Sequence, residues 1–97
     1  MQQIQVKVEF SGVSRMLTGE SEILLPLEKA ATVSQVVCQL GKRFPQLVGQ
    51  IIEKDGTTLI PTNVFSVNGQ SILHETDTAY QPKNGDTLIL LSLLAGG

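Results

Sequence analysis

The residues best placed to do chemistry lie at the C-terminal end of the sequence, in Ala95-Gly96-Gly97. Glycine has no side chain, so Gly96 and Gly97 can enter a slot too narrow for any other residue. The stretch from Leu94 to Gly97 spans roughly 13 Å when extended. We therefore expect the reactive group to be the free carboxylate of Gly97, with Gly96 keeping the tail slim.

The element that must position this tail is an apolar run from Leu88 to Leu94, interrupted only by Ser92. A turn precedes the run and glycines follow it, which predicts a strand that is apolar on both faces. In an extended chain, Leu88, Leu90 and Leu94 face one way. The alternate residues Ile89, Leu91 and Leu93 face the other way.

Composition sets limits on the class of protein. With 97 residues, a net charge of −2 and a pI of about 5.2, the chain is expected to form one domain, residues 1–97. Its few Lys and Arg residues are scattered, which argues against nucleic acid or an anionic membrane as a partner. A single cysteine, Cys38, excludes an intrachain disulfide and a cysteine-rich zinc site. No apolar run approaches the roughly 20 residues of a membrane helix, so we expect a cytoplasmic protein.

Two strands are predicted at the start of the chain. Ile4, Val6, Val8 and Phe10 alternate with polar residues, which is the pattern of a strand with one buried face. The run from Ile23 to Leu27 predicts a second strand. Because Pro26 has no amide hydrogen, this strand should lie at a sheet edge or turn that amide outward. Between them, residues 11–21 predict a polar connection, which Met16 and Leu17 pin to the body.

The clearest helix signal follows. Thr32 with Gln35 three residues later has the pattern of a capping box at a helix start. The spacing of the next apolar residues then predicts one buried stripe, formed by Val33, Val36, Val37 and Leu40. Pro45 disfavours helical geometry at Phe44, so the predicted helix ends there.

Short strands and turns fill the remainder. Residues 50–60 predict a small hairpin around Asp55-Gly56, and residues 64–67 and 70–73 predict another around Asn68-Gly69. A turn at 82–86 leads into the last strand. His74, Asp77 and Asp86 are expected to be loop and turn residues rather than ligands or acid–base groups.

This order of elements predicts an α+β fold of the β-grasp, or ubiquitin-like, kind: a mixed sheet with one main helix packed on one face. The last strand should lie beside the first and parallel to it. One helix covers one sheet face only, so one apolar side of the last strand should stay partly uncovered, and such a patch marks a docking surface. The residues predicted to bind a partner there are Ile89, Leu91, Leu93, Leu94 and Ala95.

With these features together, the sequence resembles the sulfur-carrier family, which includes the small subunit of molybdopterin synthase and the thiamine-pathway sulfur carrier. The residues that carry the resemblance are Val6–Gly12, Thr32-Val33, Phe44-Pro45 with Leu47, Asp55-Gly56, Val67-Asn68-Gly69, and Asn84–Leu88 running on to Gly97. The length suits the molybdopterin type. Ser92 and Leu93 stand where that type has prolines, and the ending is also similar to that of the eukaryotic ubiquitin-related modifier.

The resemblance implies how the tail would work. An E1-like partner would use ATP to adenylate Gly97, and sulfur would then replace AMP to give a C-terminal thiocarboxylate. A second partner, such as the large subunit of molybdopterin synthase, would take the sulfur. The carrier itself would have no active site, bound cofactor or metal.

Three other functions remain open. First, the carrier could supply sulfur for tRNA thiolation or thiamine synthesis. Second, its tail could be joined to lysines, as in a ubiquitin-like modifier. Third, the chain could be a β-grasp interaction module whose glycines are incidental. A hydrolase with its own site is not expected, since the sequence shows no nucleophile–base pair.

Overall fold

The computed structural model describes residues 3–74 and 77–93, which form a five-stranded sheet, two α-helices and a short 3₁₀ helix. The elements are β1 (Gln3–Phe10), α1 (Gly12–Thr18), β2 (Glu22–Glu28), α2 (Val33–Arg43), the 3₁₀ helix (Pro45–Leu47), β3 (Asn63–Val67), β4 (Ser71–Leu73) and β5 (Thr87–Ser92). The strand order across the sheet is β2-β1-β5-β3-β4. This mixed sheet confirms the predicted α+β, β-grasp architecture.

The last strand lies at the centre of the sheet. β5 pairs in parallel with β1, from Lys7 opposite Thr87 to Phe10 opposite Leu90, and antiparallel with β3 on its other side. The predicted neighbourhood of the first and last strands is therefore confirmed. Because β5 is hydrogen-bonded on both edges, its direction is set by two neighbours, and the chain leaves the sheet from a rigid element.

Helix α2 covers one face of this sheet, which we call the inner face. The N–H of Thr32 donates to Oε1 of Gln35 over 2.8 Å, the reciprocal bond expected of a capping box. The stripe of Val33, Val36, Val37 and Leu40 is buried. It packs in one core with alternate residues of the strands, among them Val6, Val8, Phe10, Leu25, Phe65, Leu88 and Leu90. The opposite, outer face has no helix among the described residues.

Strand β2 is an edge strand, as Pro26 predicted, and it also turns the proline nitrogen outward. The N–H of Gln5 donates to Oδ1 of Asn84, and the carbonyl of Gln5 accepts from the N–H of Gly85. Gln5 therefore directs its backbone away from its partner Pro26, so this is a non-hydrogen-bonded pair. Proline removes no ladder bond at such a position and interrupts the donors along the free edge.

The connection between β1 and β2 is a correction to the sequence prediction, because it contains helix α1. Its two glycines delimit the helix rather than marking a loop: Gly12 begins it, and Gly19 ends it in a left-handed conformation with φ of 72°. The Gly19 N–H donates to the Arg15 carbonyl over 2.9 Å, a common way to end a helix. Of the two residues expected to pin the segment, Leu17 packs against the core, whereas Met16 is 82% exposed.

The two predicted hairpins have different outcomes. Asn68 and Gly69 both have positive φ, 55° and 71°, so the β3–β4 hairpin has the predicted type I′ geometry. Residues 50–60 form only a single antiparallel bridge, between Ile52 and Leu59, without regular strands. The Glu53 N–H donates to the Thr58 carbonyl over 2.9 Å and the Ile60 N–H to the Ile51 carbonyl over 2.8 Å, so the segment closes as a short hairpin, and the buried Ile51 and Ile52 attach it to the core.

Within the described residues, no helix is both long and apolar enough to cross a bilayer.

Candidate functional site

The candidate site is the end of β5 and the residues around it. Leu88 and Leu90 point inward and are buried, while Ile89 and Leu91 point outward and are half-buried. Leu93, just beyond the strand, is 58% exposed. The expectation that one apolar side of β5 stays partly uncovered is therefore confirmed, and the uncovered side is the one that includes Ile89, Leu91 and Leu93.

The tail root, residues 90–93, is held by two hydrogen bonds from outside β5. The Ser11 hydroxyl, at the junction of β1 and α1, donates to the Leu90 carbonyl over 2.8 Å. The Leu93 N–H donates to the Thr62 carbonyl over 2.7 Å. Regular pairing with β1 stops at Phe10, so the Ser11 side chain satisfies a carbonyl that the neighbouring strand no longer reaches. The point from which the tail departs is thereby fixed to the body on both sides.

Four of the predicted site residues, Leu94, Ala95, Gly96 and Gly97, lie outside the described residues. The structure therefore establishes where the chain emerges and which surface flanks it. The assignment of the reactive carboxylate to Gly97 stays a prediction.

The outer face beside β5 continues the apolar surface on the β3–β4 side. In register with β5, Val64 lies opposite Leu91, and Ser66 lies between Ile89 and Ile72. Val64 is buried although it belongs to the outer face, and Ile72 is 46% exposed. We call Ile89, Leu91, Val64 and Ile72 the outer patch; its accessible apolar area comes from Ile89, Leu91 and Ile72, because Val64 is buried and the polar Ser66 lies between Ile89 and Ile72. A surface of this kind beside a chain terminus is typical of a protein-docking site.

On the other side of β5 the outer face carries both charged and apolar side chains. Glu9 of β1 lies opposite both Ile89 and Glu22 of β2. Lys7 Nζ approaches Glu22 Oε2 at 3.7 Å, and it forms the one ion pair found among the described residues. Strand β5 thus has apolar residues on one side and, on the other, Glu9 and Glu22 near the tail root followed by Lys7 and Leu24, which is 54% exposed.

The carboxylates singled out as turn residues have that role. Asp77 Oδ2 accepts from the His74 N–H, and Asp86 Oδ2 accepts from the Lys83 N–H, each over 2.8 Å. Asp55 Oδ1 accepts from the Thr57 N–H over 2.9 Å, and this hydrogen bond lowers the pKa of Asp55. The described part of the chain contains no group of three His, Cys, Asp or Glu side chains that could bind a metal. Asp55, Asp77 and Asp86 thus accept hydrogen bonds from the backbone of their own turns.

The sequence from residue 8 to residue 97 matches the ThiS family. This chain belongs to the ThiS family. The assignment agrees with the resemblance to sulfur carriers seen in the sequence, and the match includes both the tail and the strand that positions it.

Known proteins similar to this ThiS-family chain include several from archaea. It is 28% identical over 94 residues to the small archaeal modifier protein 3 of Haloferax volcanii, covering 97% of this chain and all of that protein. The crystal structure of SAMP1 from Haloferax volcanii superposes with a TM-score of 0.80 at 19% identity, covering 96% of this chain and 99% of that one. A putative molybdopterin converting factor subunit 1 from Pyrococcus furiosus superposes with a TM-score of 0.66 at 22% identity, covering 92% and 97%. At these identities the two structures show the shared fold.

Sequence reasoning did not find three residues that shape the site of this ThiS-family protein. The sequence pattern places Ser11 in a loop, and Thr62 gives no signal because it acts through its backbone carbonyl. Glu9 belongs to the polar face that the alternation of β1 predicts. Its position opposite Glu22 depends on the strand register, which the sequence pattern alone did not give.

Proposed function

We propose that this ThiS-family protein is a sulfur carrier that works through the carboxylate of Gly97. One observation carries the proposal: the strand with an uncovered apolar side runs directly into Ala95-Gly96-Gly97 from a root that Ser11 and Thr62 hold in place. A partner that binds the outer patch would thereby fix the position of the tail root relative to its own active site. Fixing the reacting group in this way replaces a costly encounter by a local step.

The chemistry follows from the weakness of a carboxylate as an electrophile, since an α-carboxyl group with a pKa of about 3.5 is ionised at neutral pH. A Gly97 oxygen attacks the α-phosphorus of ATP in an E1-like partner and releases pyrophosphate. The terminal sulfur of a persulfide then attacks the carbonyl carbon and displaces AMP. A thiol then attacks the donor sulfur of this acyl disulfide; a new disulfide forms between the thiol and the donor, the S–S bond to the acyl group breaks, and Gly97 is released as a thiocarboxylate.

In this proposal each predicted site residue has a separate task. Ile89, Leu91 and Leu93 supply apolar contact area to the partner. Leu94 and Ala95 extend that contact along the tail, and Gly96 allows the last residues to pass through a narrow channel. The protein contributes no general acid, base or bound cofactor, and the ATP belongs to the partner. We place these steps in the cytoplasm.

The acceptor we propose is the large subunit of molybdopterin synthase, which would use the sulfur in making the molybdenum cofactor. The Pyrococcus furiosus protein of the same fold, described as a putative molybdopterin converting factor subunit, supports this choice. A strain lacking the gene should fail to grow by nitrate respiration, which requires that cofactor. The wild-type gene should restore growth, and a gene lacking the codons for Gly96 and Gly97 should not.

The outcome of that test separates the other functions. Normal nitrate growth of the deletion strain would remove the molybdopterin role and leave tRNA thiolation or thiamine synthesis as the sulfur-dependent pathways to assay. Full function without Gly96 and Gly97 would leave only an interaction module with incidental glycines.

The second candidate function is that of a protein modifier whose Gly97 is joined to lysines of other proteins. It is favoured by the similarity to a protein described as a small archaeal modifier, which spans the whole of that relative. Both functions use the same activated carboxylate and differ in whether a sulfur atom or a lysine amine attacks it. Peptides carrying an isopeptide bond from Gly97, found by mass spectrometry of a cell lysate, would support the modifier. Their absence under all growth conditions would remove it.

A further inference from the structure

Two carboxylates lie on the outer face near the tail root. In one row across the sheet, Glu22 and Glu9 lie on one side of Ile89, and Ser66 and Ile72 lie on the other. A partner that covers this row meets the apolar side chains of Ile89 and Ile72 and, next to Ile89, the two carboxylates.

Glu9 and Glu22 lie directly opposite each other on β1 and β2. The Phe10 N–H donates to the Ser21 carbonyl over 2.9 Å, so the adjacent residue Glu9 turns its backbone toward β5 instead. Glu9 and Glu22 therefore form a non-hydrogen-bonded pair, the type in which side chains approach more closely. Like charges directly opposite each other on a sheet are destabilising.

Only one of the two carboxylates is neutralised within the described part of the chain. Lys7 approaches Glu22 at 3.7 Å, and Glu9 forms no ion pair there. The free protein therefore keeps an excess negative charge beside Ile89, on the same face as the outer patch.

From this arrangement we infer that the activating partner presents a surface with an apolar centre for the outer patch and a Lys or Arg side chain for the Glu9–Glu22 pair. The inference rests on the proposed function. A partner that adenylates Gly97 must hold a carboxylate and the phosphates of ATP together, so it needs cations where the tail enters. Acidic residues beside the tail root complement such a surface, and they guide the carrier onto it in the productive orientation.

The test measures pyrophosphate release by the E1-like enzyme of the same organism, with ATP and increasing concentrations of carrier. Glu9→Lys is compared with wild type, and Glu28→Lys is the matched control. Glu28 lies on the same strand and face as Glu22 but at the opposite end, about 20 Å away at about 3.4 Å per residue. That distance exceeds the screening length of about 8 Å in physiological salt.

We expect Glu9→Lys to lower kcat/KM for the carrier about tenfold at low salt, through KM and the association rate, with kcat unchanged. The deficit should shrink as salt is added, because screening removes the steering in the wild type. Glu28→Lys should retain wild-type kcat/KM within about twofold.

A measurement of folding stability excludes a structural explanation. Glu9→Lys replaces a repulsive cross-strand pair with an attractive one, so its Tm should equal or exceed that of the wild type while its association is slower. The neutral variant Glu9→Gln should also keep a Tm at or above that of the wild type and also lower kcat/KM, but by less than Glu9→Lys does.

Equal kcat/KM for Glu9→Lys, Glu28→Lys and an active wild type would overturn this inference and leave the proposed function intact. A fall in both kcat/KM and Tm for Glu9→Lys would also overturn it, since the residue would then act through folding. No pyrophosphate release with the wild type would overturn the proposed function, and the inference with it.

Discussion

Two neighbouring leucines of β5 provide the sharpest test of how the two sheet faces differ. Leu90 points inward and is 1% exposed, opposite Phe10 and Phe65, whereas Leu91 points outward and is half-buried. Leu90→Ala leaves a cavity in the core and should lower the free energy of unfolding by about 3 kcal/mol. Leu91→Ala removes the same atoms from a half-exposed position and should cost about 1 kcal/mol or less.

These free energies correspond to well-separated melting temperatures. In a domain of this size, a loss of 1 kcal/mol lowers Tm by about 4–8 °C, so Leu90→Ala should lower it by roughly 12–24 °C. The protein has no tryptophan and a single tyrosine, so far-ultraviolet circular dichroism is the suitable probe of thermal unfolding. An equal fall in Tm for the two variants would refute the assignment of inner and outer faces.

The same two variants should rank in the opposite order in a binding assay. A half-exposed leucine in the outer patch is available to a partner, and truncating an interface anchor typically costs more than 1 kcal/mol of binding. We therefore expect Leu91→Ala to weaken binding to the E1-like enzyme at least about fivefold. Leu90→Ala, measured below its Tm, should bind as the wild type does. Undiminished binding by Leu91→Ala would exclude it from the docking surface.

Three further substitutions test local features of the fold. Ser11→Ala removes the hydroxyl that bonds to the Leu90 carbonyl and should cost about 1 kcal/mol in urea unfolding; no change would mean that this bond does not hold the tail root. Gly69→Ala should also cost about 1 kcal/mol because of its φ of 71°. Gly41→Ala should stabilise α2 by up to about 1 kcal/mol, because alanine favours the helix and the added Cβ fits at 3.4 Å from Val48 Cγ2. Equal effects of these two alanines would contradict the assigned conformations. The pKa of Asp55 is lowered in the folded protein, so its ionised carboxylate stabilises the fold above the unfolded pKa of about 3.9. This stabilisation disappears as pH falls through the folded pKa, so the difference in stability between wild type and Asp55→Ala should shrink from pH 7 to pH 3.

The sequence predicted those elements whose periodicity is long enough to read. β1 alternates over its full length, and α2 has four buried residues at helical spacing together with a capping box. These two elements and the apolar β5 suffice to predict the β-grasp arrangement, because there are few ways to bury the apolar stripe of one helix against a sheet that contains a strand apolar on both faces. The uncovered side of β5 followed from the same reasoning.

The sequence pattern did not predict the short elements or the register between strands. Helix α1 has only seven residues, too few for a clear apolar period, and glycines at both boundaries made the segment look like a loop. Residues 50–60 have a turn sequence and apolar flanks, but their pairing is limited to one bridge and its flanking hydrogen bonds, and the sequence did not show that Ile51 and Ile52 would be buried in the core. The Ser11 bond to Leu90 joins positions far apart in sequence and becomes visible only in the folded chain.

The central claim, that the reactive atom belongs to the C-terminal carboxylate, is tested most directly by intact-mass spectrometry. The protein is incubated with ATP, its E1-like enzyme, a persulfide donor and a thiol, with a variant carrying one added C-terminal alanine as the control. The account predicts that the wild type gains the mass of one oxygen replaced by sulfur, located in the peptide that ends at Gly97, and that the extended variant does not. An unchanged wild-type mass with an active enzyme and donor, or sulfur on any other residue, would contradict it.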